Sequence, residues 1–161
     1  MTKARTNAYG TTTLGSSTLT LGSATTSVTN LELVSPKELA TISASAATGT
    51  INFDIVTQSV LYYTSNATAN FTLNFRGSSS VTLNSFMNVG DTQTVVFLNT
   101  NGSTPYYPNS LTIDGTVVSP KWQGGTAPSG GNASSIDAWT YTILKTASAT
   151  YTVLAAQTKF A

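Results

Sequence analysis

Six carboxylates are available for acid–base work: Glu32, Glu38, Asp54, Asp91, Asp114 and Asp137. A glycosidase needs two that flank its substrate. No two of the six stand in a paired context. Asp114 precedes Gly115 and Asp91 follows Gly90, so both read as turn residues. Asp137 begins a strand and suits a loop cap. The 20 serines lack a base, because the chain has no His. Only a Ser–Lys dyad remains. Lys37 follows Ser35-Pro36 and Lys145 sits among Thr neighbours, and neither forms a Ser-x-x-Lys motif. No catalytic residue is assigned.

The missing residue types exclude more. Without Cys there is no disulfide framework and no thiol chemistry. Without Cys and His, zinc, copper, haem and iron–sulfur sites lose their usual ligands. No EF-hand loop is present. Gly124-Gly125 and Gly130-Gly131 open no helix and match no phosphate-loop motif. No cofactor or metal is expected. A net charge of +1 from seven cations leaves no footprint for nucleic acid. No run approaches the ~20 apolar residues of a membrane-spanning helix. Met1-Thr2-Lys3-Ala4-Arg5 leads into Thr, Gly and Ser without an apolar segment, so no signal peptide is expected and synthesis is assigned to the cytosol. Four N-x-S/T sequons, at Asn66, Asn70, Asn101 and Asn132, are no more than the composition yields by chance.

Aromatic residues are the strongest candidates for contact. Tyr106-Tyr107 lies between Pro105 and Pro108, and Trp122 precedes a glycine-rich stretch. Sugar-binding faces use such rings beside amides. The same rings also pack core edges and subunit contacts, and that reading is preferred. Charge supports it. Charged residues are 8% of the chain, against ~25% in ordinary globular proteins. Thr (31) and Ser (20) carry the solvation instead. Such surfaces dock against other subunits without desolvating ions.

The elements that must position these residues read as β. Phe71, Leu73 and Phe75 alternate with Thr72 and Asn74. Trp139, Tyr141 and Ile143 alternate likewise, as do Tyr151 and Val153. Stretches 49–56 and 59–63 are further strands, with a tight turn at Thr57-Gln58. Asp114-Gly115 and Asn101-Gly102 are hairpin signals. One helical turn is expected near Leu83 to Met87. The predicted core is Phe53, Ile55, Leu61, Phe71, Leu73, Phe75, Val95, Phe97, Trp139, Tyr141, Ile143, Tyr151 and Val153. The stretch Gln123 to Ser135 reads as a solvent loop or a contact loop. Together these predict an all-β sandwich of jelly-roll or immunoglobulin-like type over residues 31–161. Residues 1–30 are acid-free and of low complexity, with Thr-Leu-Gly-Ser at 13–16 and again at 20–23. They read as an extended arm, with Thr11, Leu14, Leu21 and Val28 as candidate partner-binding residues beside Tyr106, Tyr107 and Trp122.

Several segments carry a family likeness: Val34-Ser35-Pro36-Lys37-Glu38, Gly49-Thr50-Ile51-Asn52-Phe53-Asp54, Gln58-Ser59-Val60-Leu61-Tyr62-Tyr63, Pro120-Lys121-Trp122-Gln123-Gly124-Gly125, Ser135-Ile136-Asp137 and the stretch 141–161. They resemble virion structural proteins of marine tailed phages, cyanophages among them. The likeness covers about four fifths of the chain, from about Leu31 onward, and carries no catalytic residues. It implies a non-enzymatic, oligomeric component exposed on the virion surface. The first expectation is a capsid decoration (knob or cement) protein on the major capsid protein or other virion subunits. The second is a tail-fibre or spike component that binds a host receptor or glycan.

Overall fold

A computed structural model of the chain describes residues 37–161. Thr11, Leu14, Leu21, Val28 and the arm assigned to residues 1–30 lie outside the described residues. Lys37–Ala161 forms one compact unit. Its strands are β1 (Ala40–Ala46), β2 (Gly49–Asp54), β3 (Val60–Asn66), β4 (Phe71–Arg76), β5 (Thr92–Thr100), β6 (Pro108–Ile113), β7 (Thr116–Val117), β8 (Lys121–Trp122), β9 (Ile136–Ala147) and β10 (Thr150–Phe160). A short α-helix, α1 (Leu83–Phe86), falls where the helical turn is expected, and a 3-10 turn follows β8 at Gln123–Gly125. The predicted all-β sandwich is present as a six-stranded sheet ordered β1-β3-β5-β9-β10-β8 and a four-stranded sheet ordered β2-β4-β6-β7.

The connectivity differs from the antiparallel pattern of jelly rolls and immunoglobulin-like domains. From β1 to β6 the chain changes sheet at every strand. β1, β3 and β5 therefore pair in parallel in one sheet, and β2, β4 and β6 in parallel in the other. The first two of these crossings are short corners. Two residues, Ala47 and Thr48, separate β1 from β2, and Gly49 takes φ +60° at the corner. The turn at Thr57 donates its N–H to Asp54 O at 3.1 Å and carries the chain from β2 to β3 in the opposite sheet. Antiparallel pairing enters later, through β5 with β9, β9 with β10, and β6 with β7.

Asp114-Gly115 does form the β6–β7 hairpin, with φ of +50° and +81°. Asn101-Gly102 does not form a hairpin. β5 ends there, and its ladder partners are β3 and β9. The Asn101 amide is buried and spends both ends elsewhere, on Asp137 and on the Tyr106 N–H.

Alternation buries one face of each sheet. Phe75 of one sheet meets Tyr141 of the other at 5.1 Å between ring centroids, and Phe71 meets Phe97 at 5.5 Å. Every predicted core residue is buried except Tyr151, which is half-buried against the core. Ile51, Leu83, Met87, Leu111 and Ile113 join them.

Candidate functional site

Trp122 owes its place to a two-residue strand. β8 pairs in parallel with β10, setting Lys121 beside Leu154 and Trp122 beside Ala155. The indole then turns inward and meets Trp139 edge-on at 6.2 Å and Tyr141 at 6.3 Å. Tyr107 immediately precedes β6. Its N–H donates to Asn70 Oδ1 at 3.2 Å, and its carbonyl accepts from the Phe71 N–H at 3.3 Å. Both rings line one groove of about 420 Å³ between the β6–β7 edge and β8. Pro108, Pro120 and Pro128 add rigid apolar walls, and Asn109, Ser110 and Ser119 add amide and hydroxyl groups. No charged side chain lines it. Tyr141 forms part of the wall, and burial pushes its phenol well above the usual range.

Tyr106 goes elsewhere. It packs half-buried against the core, and its N–H donates to Asn101 Oδ1 at 3.0 Å. The structure thus brings together Tyr107 and Trp122 of the three aromatic candidates and leaves Tyr106 outside the groove.

The glycine-rich loop is less free than its composition suggests. Ala127 and Pro128 reach the groove. Beyond them, the chain is latched by Asp137, which is fully buried. Asp137 Oδ2 accepts from the Asn132 N–H at 2.8 Å and from Asn101 Nδ2 at 3.0 Å. Gln157 Nε2 donates to Gly130 O, and the Ser134 N–H donates to Gly102 O. The other Asp137 oxygen and the Asn99 amide nitrogen are buried without a partner, on residues opposite each other in β5 and β9. Burial raises the Asp137 carboxyl above the ordinary carboxylate value, against the pull of the Asn132 N–H and Lys159.

The remaining described acids are engaged structurally. Asp54 pairs with Arg76 at 2.6 Å. Asp114 accepts from the N–H groups of Leu83 and Asn84, capping α1 from 30 or more residues away. Asp91 accepts from the Asn88 N–H, and Glu38 from Ser59. Lys145 is buried and donates to the carbonyls of Asn84 and Met87 at 2.6 and 2.8 Å. No group of three or more metal-ligating side chains occurs among the described residues. No helix among them is long and apolar enough to cross a membrane.

A second surface is the outward face of the six-stranded sheet. Ile42, Tyr62, Leu98 and Ala138 align in register across four strands. Val60, Val96, Thr140 and Ala156 form the next row, and Thr94, Thr142 and Leu154 a third. The third row ends on Lys121 of β8, the one charged side chain in these rows, and Ile42 and Leu154 are 69% and 52% exposed. Alternation of single residues pointed to the inward faces, but the outward rows need the register of β1, β3, β5, β9 and β10 to become visible. Compared with known family models, curated proteins and solved structures, the chain matches none.

Proposed function

We propose that the protein is a non-enzymatic structural component of a bacteriophage virion, a capsid-surface decoration protein seated on the major capsid protein. The observation that carries this reading is the outward face of the six-stranded sheet, whose strand residues carry a single ion, Lys121, at the β8 edge. Two register rows carry no ion and the third meets only Lys121, so most of this surface docks without desolvating an ion. The low charge of the whole chain and the likeness to phage virion proteins support the same reading. So does the engagement of all five described acids in hydrogen bonds and, for Asp54, an ion pair. On the particle the protein is homo-oligomeric. It has no cofactor and no nucleic-acid or membrane partner.

A second reading, a tail-fibre or spike component, is favoured by one observation: Tyr107 and Trp122 share a groove. Copy number separates the two. Quantitative mass spectrometry of purified virions, referenced to the major capsid protein, should find copies on the order of hundreds for decoration of an icosahedral lattice. A small symmetric number would place the protein on the tail and overturn the first reading. The docking face is tested by Ile42→Glu. The side chain is exposed, so the fold should hold and binding to particles lacking the protein should be lost. Undiminished binding would exclude that face.

A further inference from the structure

We infer that the groove between Tyr107 and Trp122 is a binding site for a neutral saccharide. The inference concerns the ligand's chemistry and holds for either position on the particle. Three features carry it. First, Tyr107 and Trp122 are each partly exposed on the groove, and Tyr141 lies deeper in its wall. A pyranose ring presents C–H groups on one face and hydroxyls around its rim, and aromatic faces with a negative quadrupole attract such C–H groups. Second, the rim supplies amides and hydroxyls, from Asn109, Ser110 and Ser119, and no ion. That excludes a charge-assisted anchor for acidic sugars or phosphates. Third, Tyr141 lines the wall of the groove. A phenol hydroxyl can both donate and accept, so a ligand hydroxyl that reaches it gains a hydrogen-bond partner. The volume of about 420 Å³ falls within the ~300–1,000 Å³ usual for small-ligand sites.

The walls are preformed. β8 is fixed to β10, Pro108, Pro120 and Pro128 restrict the backbone, and Asp137 latches the loop that carries Ala127 and Pro128. Little ordering would be required of the protein on binding.

The test is a glycan array probed with the full-length chain, carrying neutral and acidic oligosaccharides, followed by titration of any hit. At least one neutral oligosaccharide should bind. Its Kd should stay nearly constant from about 50 to about 500 mM salt, because no charge is there to be screened. Trp122→Ala should weaken binding by more than about tenfold. Trp122 also packs on Trp139, so Tyr141→Phe serves as the conservative partner variant. It keeps the ring and removes the hydroxyl, and it should weaken binding by about fivefold. Ile42→Glu, on the opposite face, should leave saccharide binding unchanged even if it abolishes binding to particles. Absence of any neutral ligand, binding of acidic glycans alone, or a Kd indifferent to Tyr141→Phe would overturn the assignment. So would capture of an extended peptide in place of a sugar.

Discussion

At the scale of the residue, polar groups inside the sandwich are the sensitive points. Asp137 is buried with one oxygen doubly bonded and the other without a partner. Its carboxyl is raised, chiefly by burial, so the folded chain holds that proton more tightly than the unfolded chain. Stability contributed by this group is fully present below the unfolded carboxylate value and is lost as pH rises through the raised folded value. Relative to Asp137→Asn, the natural chain should therefore gain in Tm on acidification from neutrality. A thermal-melt series across that range checks it, and a relative loss would show that the fold prefers the ionised group. Lys145 poses the opposite case, a buried cation held by two carbonyls at the end of α1. Lys145→Met keeps the stem and removes both donors. It should cost about 1–3 kcal/mol in urea unfolding, by leaving the Asn84 and Met87 carbonyls short of a partner.

At the scale of the element, the glycine-rich loop between β8 and β9 behaves as two parts. Gln123 to Thr126 is exposed, whereas Gly130 to Asn132 is drawn in toward Asp137. Gly131 marks the close approach. A Cβ there would lie 2.6 Å from Tyr106 O and 2.8 Å from Asp137 Oδ2. Gly131→Ala should destabilise by about 1–3 kcal/mol and speed amide exchange at Asn132. An unchanged melt would mean that the loop yields freely. The alternation of β1 to β6 between sheets is the other lesson at this scale. The turns at Thr57-Gln58 and Asn101-Gly102 were legible, whereas β1 and its corner at Ala47-Thr48 were not, and a turn residue does not state whether the next strand pairs beside the last or crosses above it. Asp114-Gly115 led to a hairpin, and Asn101-Gly102 led to a crossing because buried partners claimed the Asn101 side chain.

At the scale of the whole molecule, aromatic contacts bridge the sheets. Phe75 touches Phe53 within its own sheet and Tyr141 in the other, and is fully buried. Phe75→Ala should cost about 3–5 kcal/mol in chemical unfolding, because rings on both layers would line the cavity left behind. A loss under about 1 kcal/mol would mean that the sheets close over the gap. The two faces of the molecule divide the proposed work. On this proposal the outward sheet face would meet the particle, and the groove at the far edge, around Trp122, would take the sugar. The two surfaces are separable by the variants named above.

The amino-acid sequence alone determined the class of the fold, most of its core and the lack of familiar catalytic or metal-binding patterns. These depend on composition and on alternation within single strands, which are local quantities. Phe71, Leu73, Phe75, Trp139, Tyr141 and Ile143 could be assigned inward without knowing their neighbours, and all are buried. Tertiary structure alone decided the parallel coiling of the first six strands and the rows of the outward face. It also separated Tyr106 from Tyr107, joined Tyr107 to Trp122 across 14 intervening residues, and placed Asp137 beside Asn101 and Asn132. Those outcomes depend on register and on long-range pairing, which cost chain entropy and are settled by the packing of the whole rather than by any one segment.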